Sequence, residues 1–347
     1  MLWAAAVATW TVTEGVAIDH TRLLIMIALG LIAASIGRRR LLSVIRDWLP
    51  FAIVLLVYDV SRGAADLLGR PTQWRAQIAA DRWLFGGTEP TVWLQAHLKQ
   101  PFAPWWETLV SLVYISYFIA PYAVAGALWL RDRGEWRKFV LRFVVLSFIA
   151  LVGFVVVPAA PPWAASQCTA AEVASGPSDP GCLYTKPGSA PAGGLLGRGG
   201  SYRKGSAPWI ERISNRGWLK LGVPVARSLI DEGQAGVNQV AAIPSLHAAT
   251  TALIAMFLWP RVRRRWCIPL LAYPVAMGFV LVYSAEHFVI DILLGWLLAG
   301  AVSVGFSFWE RRGQRRRHNE PAGSGAGYSG CAEIVPSPVE FRRARRP

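Results

Sequence analysis

The sequence lacks the residue patterns that mark several common classes of enzyme and binding protein. No Cys-x-x-Cys or Cys/His pairing has the spacing of a zinc site, and the Gly-x-x-x-x-Gly-Lys-Ser/Thr phosphate loop is missing. Acidic residues number only 21 against 36 Lys and Arg, and no multi-aspartate metal motif is present. Although the net charge is +15, the basic residues do not interleave with aromatic residues along one face, which disfavours a nucleic-acid-binding protein.

The sequence is instead rich in long apolar runs. Hydrophobic residues make up 54% of the chain and fall into stretches long enough to cross a bilayer as helices. The predicted spans are residues 22–37, 48–64, 106–130, 138–157, 243–260, 267–284 and 288–309. The apolar stretch 2–13 is short and predicts either a partial span or an interfacial segment. The sequence therefore predicts an all-α, polytopic membrane protein.

Four basic clusters determine the predicted orientation. They lie at residues 38–40, 131–138, 261–265 and 311–317. Because Lys and Arg are enriched on the cytoplasmic side of membrane proteins, we assign all four clusters to the cytoplasm. The segments 65–104 and 158–242 then fall outside, with no span skipped. We expect a multi-pass protein of the cell (inner) membrane.

The same pattern predicts three regions. They are N-terminal apolar segments at 1–47, a membrane domain at 48–310 with the 158–242 loop inserted, and a basic, disordered cytoplasmic tail at 311–347. Cys168 and Cys182 both lie in the inserted loop. If that loop is extracytoplasmic, we expect the two cysteines to form a disulfide, since such compartments are oxidising.

Two short motifs about forty residues apart each place a histidine at the predicted outer end of an apolar run. The first, at 243–249, reads Ile-Pro-Ser-Leu-His-Ala-Ala. Pro244 suits the beginning of a helix, so Ser245 and His247 are predicted in its first turn. Unpaired N–H groups and the helix dipole attract anions there. The alternative is an ordinary helix start with an interfacial histidine.

The second motif, at 284–291, reads Ser-Ala-Glu-His-Phe-Val-Ile-Asp. His287 and Asp291 are four residues apart, so both are predicted to project from one helical face within hydrogen-bond reach. The carboxylate would fix the imidazole tautomer and leave the other ring nitrogen nucleophilic. The alternatives are a polar pair that solvates a helix end and a metal site. Ionisable residues inside a span are usually functional, which favours a reactive pair.

Together the motifs predict phosphoryl transfer on a lipid, with no metal or other cofactor. In this hypothesis His287 attacks the phosphorus and forms a phosphohistidine, while Asp291 orients His287. His247 protonates the leaving oxygen and then deprotonates water or an alcohol. The expected partners are a lipid substrate and the membrane.

The Pro-Ser-x-His and His-x-x-x-Asp motifs resemble those of the type 2 phosphatidic acid phosphatase superfamily. Within it, the chain is most similar to fungal inositol phosphorylceramide synthases and their bacterial relatives, over roughly residues 50–300. Further matching stretches are Tyr58 to Asp66, Leu84 to Gly87, Pro158 to Trp163 and Trp259 to Arg261.

The resemblance implies a six-helix catalytic core within 48–310, preceded here by one or more extra N-terminal helices. It also implies that His247, His287 and Asp291 form a catalytic triad on the extracytoplasmic side, where the charge pattern independently places them.

Two departures from the phosphatase branch favour a transferase. That branch has an arginine six residues before the second histidine, where this chain has Leu281, and its Lys-x6-Arg-Pro motif is missing here. The predicted function is a lipid phosphotransferase that moves an inositol phosphate-like headgroup to an alcohol. The alternative is a lipid phosphate or polyprenyl diphosphate phosphatase with the same triad. A transporter is disfavoured, because the polar residues lie at one face and no internal repeat is visible.

The phosphate charge must then be balanced by cations elsewhere on the outer face. Arg62, at the outer end of the second span, is the first candidate, and its pairing with Asp59 or Asp66 is the alternative. Arg203 and Lys204, in a Gly-rich stretch, come next, and Ser245 is the expected polar contact from the first motif.

Two further features border the predicted site. Ser111, Tyr114, Ser116 and Tyr117 either line a cavity or join helices through hydrogen bonds. Residues 209–229 form either an amphipathic interfacial helix, with Trp209, Ile213 and Trp218 toward lipid, or an ordinary loop.

Overall fold

The computed structural model describes residue 30 and residues 41–64, 69–176, 178, 180–197, 203–220 and 240–319. The chain divides into two compact units, residues 1–306 and 307–347. The predicted segment 2–13, the predicted segment 22–37 apart from residue 30, and the tail beyond 319 lie outside the described residues. The second unit is described only over 307–319, where it is helical.

Helices dominate the described residues, which confirms the predicted fold class. They are α1 (Leu41–Ala64), α2 (Ala76–Leu84), α3 (Pro90–Leu98), α4 (Trp105–Arg131), α5 (Arg133–Val156), α6 (Pro162–Gln167), α7 (Ala170–Ser175), α8 (Arg216–Lys220), α9 (Leu246–Leu258), α10 (Cys267–Tyr283) and α11 (Val289–Asn319). Short 3₁₀ turns occur at Gly181–Tyr184, Pro191–Gly193, Trp259–Arg261 and Arg264–Trp266. Isolated bridges join Ala159 to Gln73 and to Ala241.

Four described segments are long and apolar enough to cross a membrane, and the protein is therefore a multi-pass membrane protein. They are Trp105–Arg131, Arg133–Val156, Arg264–Tyr283 and Val289–Gly313, close to four of the predicted spans. The predicted span 48–64 lies within the 24-residue α1. The predicted span 243–260 contains the shorter α9, of 13 residues. Pro260 helps to end α9, because it has no N–H group to continue the hydrogen bonds of the helix.

Two of the basic clusters meet at one end of the helical bundle. Asp132 separates α4 from α5 and caps α5, since its Oδ1 accepts the N–H groups of Gly134 and Glu135 at 2.7 and 3.2 Å. Arg261 lies just beyond α9, and its Nε donates to Oε2 of Glu135 at 2.6 Å. The clusters 131–138 and 261–265 therefore share one end of the bundle, as the predicted orientation requires of them.

The segment that follows α5 forms a folded layer at the other end of α9. The predicted disulfide between Cys168 and Cys182 is present, with Cα atoms 5.3 Å apart. The backbone N–H of Trp163 donates to the carbonyl oxygen of Ala285 at 3.0 Å. The layer therefore packs directly on the turn that precedes α11, where the second histidine motif lies.

The beginnings of α9 and α11 are in close contact. The N–H of Ser245 donates to the carbonyl oxygen of Asp291 at 3.1 Å. Gly295 lies one turn further along α11, and a Cβ atom there would be 2.5 Å from the Ser245 carbonyl oxygen and 3.2 Å from the Ala249 nitrogen. The missing side chain therefore lets the two helices approach, which sets the distance between the two motifs.

Gly295→Ala is expected to lower the melting temperature of the purified protein, because its Cβ would push against backbone atoms that cannot move aside alone. Gly300→Ala on the same helix is the matched control, since nothing lies within 4 Å of a Cβ there. Alanine in place of a helical glycine by itself favours the helix by about 1 kcal/mol. Thermal unfolding followed by tryptophan fluorescence measures both variants, and equal melting temperatures would contradict the proposed contact.

Candidate active site

The first histidine lies where α9 begins. Ser245 is the N-cap residue of α9, and its hydroxyl accepts the N–H of Ala248 at 3.4 Å. The prediction that Ser245 lies in the first turn was therefore wrong by one residue, and Pro244 also precedes the helix. A serine at this position satisfies an N–H group that has no partner within the helix. His247 does lie in the first turn, and it is half-buried.

Three aromatic side chains of α4 surround His247. The ring centroid of Tyr117 is 4.0 Å from that of the imidazole, and the ring of Tyr114 stacks on it at 5.3 Å with an interplanar angle of 21°. Phe118 approaches edge-on, at 5.9 Å and 82°. These contacts limit rotation of the imidazole and set its direction.

The two serines named with those tyrosines have a different role. The Ser111 hydroxyl accepts the N–H of Gly217 at 3.1 Å. The Ser116 hydroxyl lies 2.9 Å from the hydroxyl of Tyr273. Of the four α4 residues singled out in the sequence, the two tyrosines contact the candidate site and the two serines join helices.

The second histidine lies two residues before α11, which begins at Val289, and not on the helix itself as predicted. Asp291 is in the first turn of α11 and is fully buried. Its Oδ2 lies 3.6 Å from Nδ1 of His287 and accepts the N–H of Phe288 at 3.0 Å. A separation of 3.6 Å is slightly longer than a hydrogen bond, and such contacts often tighten once substrate is bound. Because Nδ1 of His287 faces the carboxylate, Nε2 is the ring nitrogen left for chemistry.

The two histidines are neighbours although forty residues separate them in the sequence. Their ring centroids are 5.7 Å apart, and the ring planes are inclined by 59°. His287 is 7% exposed. The three residues of the predicted triad thus lie together, and the two imidazoles are close enough to reach one small group bound between them.

An arginine that the sequence reasoning missed lies beside the second motif. Arg212 binds Glu286 through two hydrogen bonds, from Nε at 2.9 Å and from Nη2 at 2.8 Å. The Ser214 hydroxyl donates to the same carboxylate at 2.7 Å, and the guanidinium lies 4.7 Å from the ring centroid of Trp163. Glu286 is buried, and a buried carboxylate needs a cationic partner. That requirement was a signal in the sequence for a nearby arginine, but it could not identify which one.

A second group of charges anchors the segment that carries Arg212. Lys99 Nζ lies 3.6 Å from Oε2 of Glu211, which is 3.5 Å from Nη1 of Arg216. The Nε of Arg216 is in turn 3.5 Å from Oε2 of Glu107, and Oε1 of Glu107 accepts the Tyr283 hydroxyl at 2.8 Å. Burial lowers the pKa of the Lys99 ammonium below its ordinary value. These contacts attach the segment to the ends of α3, α4 and α10.

Of the two alternatives for residues 209–229, the lipid-facing helix is wrong for the described part. The described residues are helical only at Arg216–Lys220, and 221–239 lie outside them. Ile213 is fully buried and Trp218 is 8% exposed, so both pack inside the protein. Gly217 allows this packing, because a Cβ there would lie 2.4 Å from the Glu107 carbonyl oxygen.

Of the three cations predicted to bind phosphate, the side chains of two are described, and neither is buried with the triad. Arg203 and Lys204 are exposed, in a turn closed by a hydrogen bond from the Ser206 N–H to the Arg203 carbonyl oxygen at 3.1 Å. Arg62 lies in the last turn of α1, and its side chain, like that of Asp59, lies outside the described residues. Arg212 is therefore the arginine that the described contacts place beside the histidine motif.

Two buried carboxylates belong to the short helices α2 and α3: Asp81 lies on α2, and Glu89 is the N-cap residue of α3. Asp81 on α2 accepts the N–H groups of Val289 and Ile290, and Glu89 caps α3 by accepting the N–H of Val92 at 2.7 Å. Burial raises the pKa of Asp81 to about 6, and the charge of Asp291 adds to this effect. Burial likewise raises the pKa of Glu89 to about 7.

The fold and the site together define a membrane-embedded enzyme with a paired-histidine centre. A scan against family models matches the PAP2 superfamily over residues 76–305, and the chain belongs to that superfamily. It is thus an enzyme that acts on lipid phosphates, as a phosphatase or phosphotransferase. The chain is similar to a protein of Bacteroides thetaiotaomicron named phosphoinositol dihydroceramide synthase, with 24% identity over 269 residues, which cover 76% of this chain and 75% of the relative. No solved structure matches the chain.

Among the described residues, no group of three or more His, Cys, Asp or Glu side chains is placed to hold a metal ion.

Glu89→Gln is expected to remove a pH dependence of stability. The carboxyl pKa is about 7 in the folded protein against 4.5 ordinarily, so the folded state binds more protons between these pH values. The stability that Glu89 contributes is therefore present below pH 4.5 and lost as the pH rises through 7, by at most about 3 kcal/mol. The melting temperature of the wild type minus that of E89Q should fall over this range.

Glu172→Gln is the control, because Glu172 is also a helix-capping carboxylate but its hydrogen bonds to Thr169 lower its pKa. The stability contributed by Glu172 is present above its ordinary pKa and lost as the pH falls. If the difference in melting temperature between wild type and E89Q stays constant from pH 4.5 to 7, Glu89 does not titrate in this range.

Proposed function

We propose that this protein is a lipid phosphotransferase that works through a phosphohistidine and moves an inositol phosphate-like headgroup from a lipid to an alcohol. The observation that carries the proposal is the pairing of His247 and His287 at 5.7 Å, with Asp291 behind the second ring. A nucleophile, its orienting carboxylate and a second imidazole are the groups that a two-step transfer requires.

In the first step, Nε2 of His287 forms a bond to phosphorus, and the bond from phosphorus to the diacylglycerol oxygen breaks. His247 donates a proton to that departing oxygen, so the diacylglycerol leaves as a neutral alcohol. Asp291 stabilises the positive charge that develops on the His287 ring. The aromatic side chains of Tyr114 and Tyr117 hold His247 in the direction this proton transfer needs.

In the second step, His247 removes the proton of the acceptor hydroxyl, whose oxygen attacks the phosphorus. The bond between phosphorus and His287 then breaks, and both histidines return to their starting protonation states. Water in place of the alcohol would give hydrolysis by the same route. The identity of the acceptor therefore decides between transferase and phosphatase.

The negative charge of the phosphate requires a cation near the histidines. Position 281, where the phosphatase branch has arginine, holds a fully buried leucine whose carbonyl oxygen accepts the N–H of His287. Arg212 is our candidate instead, because it is held by Glu286, the residue next to His287. Arg62, Arg203 and Lys204 remain predicted contributors of charge.

Two observations support the headgroup and the side of the membrane that we propose. The similar protein from Bacteroides is named for phosphoinositol transfer to a ceramide, which fits a phosphorylated polyol donor and an alcohol acceptor. The disulfide lies in the layer that packs on the second motif, and disulfides form in oxidising compartments. Together with the distribution of basic clusters, this supports an active site on the extracytoplasmic face.

Substitution of the histidines tests the mechanism. His287→Ala should abolish turnover and also the protein-bound label formed from a ³²P-labelled phosphoinositol lipid, a label stable in base and labile in acid. His247→Asn should slow turnover by about 10²- to 10⁴-fold through the loss of acid–base catalysis. His97→Ala is the control, because His97 is exposed on α3 and packs against Trp93. Normal turnover by His287→Ala would exclude the phosphohistidine.

Dependence on an acceptor tests the transferase assignment. Purified protein in lipid nanodiscs is given labelled phosphatidylinositol with or without dihydroceramide, and the products are separated by chromatography. We expect labelled phosphoinositol dihydroceramide to form, and to form only when the acceptor is present. Release of inositol phosphate at the same rate without acceptor would instead assign a hydrolase.

A further inference from the structure

The N-cap residue of α11, the helix that carries Asp291, cannot cap the helix with its side chain. α11 begins at Val289, so the N-cap position is Phe288, whose side chain has no oxygen to accept a hydrogen bond. Helices normally begin with Ser, Thr, Asp or Asn at this position, because the first N–H groups have no partners within the helix. Phe288 is instead fully buried in the apolar cluster that includes Ile78 of α2.

Asp81 of α2 supplies the missing cap from more than two hundred residues away. Its Oδ2 accepts the N–H of Val289 at 2.8 Å, and its Oδ1 accepts the N–H of Ile290 at 2.9 Å. The Asp81 side chain is fully buried. Burial of a carboxylate is costly unless its oxygens accept hydrogen bonds. Because both oxygens of Asp81 accept N–H groups from the first turn of α11, this contact strongly constrains where the helix begins.

The first turn of α11 is also the part of the molecule that sets the geometry of the second histidine. Asp291 lies in this turn, and its Oδ2 accepts the N–H of Phe288 while facing Nδ1 of His287. The Asp291 carbonyl oxygen accepts the N–H of Ser245, which links the same turn to the start of α9. A small rotation or shift of the turn would therefore move Asp291 and His287 relative to His247.

We propose that Asp81 is a positioning residue for the reaction, which fixes the first turn of α11 so that His287 faces His247 with Asp291 behind it. The inference rests on the proposed function, since it assumes that these histidines do the chemistry. Asp81 contacts the α11 backbone amides, and through them it acts on the reaction by way of His287 and Asp291. A displacement of about 1 Å at a reacting group can cost on the order of 10²-fold in rate.

The test compares Asp81→Asn with Asp132→Ala. Asp132 is a matched control, because it too accepts two backbone N–H groups at a helix start, those of Gly134 and Glu135, but at the end of the bundle where Arg261 lies. We expect D81N to lower kcat about 10²-fold with KM changed less than twofold. D132A should keep kcat within twofold of the wild type. Asparagine lacks the second acceptor oxygen that Asp81 uses, and alanine removes the one oxygen of Asp132 that accepts both N–H groups, so both variants should show some loss in melting temperature.

A second variant covers the case in which D81N does not fold. Asp81→Glu keeps both acceptor oxygens but places them one methylene further from α2, so it should retain the cap while displacing the turn. We expect D81E to purify as folded protein with kcat lowered at least tenfold. The KM should again stay near the wild-type value, because the substrate contacts are unchanged.

The outcomes separate the two proposals. Wild-type kcat in folded D81N or D81E would overturn the positioning role. An equal loss of kcat in D132A would overturn it too, because activity would then follow stability alone. If the wild-type protein forms no labelled phosphohistidine while folded, the proposed function fails before the role of Asp81 is tested.

Discussion

The hydrogen bond from the Ser245 N–H to the Asp291 carbonyl oxygen joins the beginnings of the two helices on which the candidate site depends. Gly295 makes the approach possible by leaving no side chain between the helices. Each helix start then contributes one histidine, and the rings come to lie 5.7 Å apart. The site is therefore a consequence of backbone contact at one point, with side-chain packing around His247 added to it.

Buried charge at this end of the bundle is the second constraint. Asp81, Glu107 and Glu286 are all withdrawn from solvent, and each would be costly without a partner. Their partners come from distant parts of the chain: the amides of α11 for Asp81, and two arginines of the 211–216 segment for Glu107 and Glu286. These pairings attach the segment 211–216 to the ends of the membrane helices, so that this segment and the histidine motifs form one structure.

Much of the site could be predicted from the sequence because its signals are local. A Pro-Ser-x-His stretch and a His-x-x-x-Asp stretch at the ends of apolar runs indicated His247, His287 and Asp291 directly. The paired cysteines of the polar segment likewise indicated a disulfide. The details of the helix starts were less accurate, since α9 begins after Ser245 and α11 after His287. Capping decides such boundaries, and one of these caps comes from α2.

Periodicity, composition and charge by themselves determined that this is a helical membrane protein, because bilayer thickness and charge distribution act on contiguous stretches. The two short motifs in turn predicted the candidate triad. Only the tertiary structure decided that Arg212 pairs with Glu286, that Ile213 and Trp218 pack inward, and that Asp81 caps α11. Each of these depends on contacts between residues tens to hundreds of positions apart. Such contacts leave no periodic signal in the sequence, and they follow from the requirement that every buried charge and backbone amide find a partner.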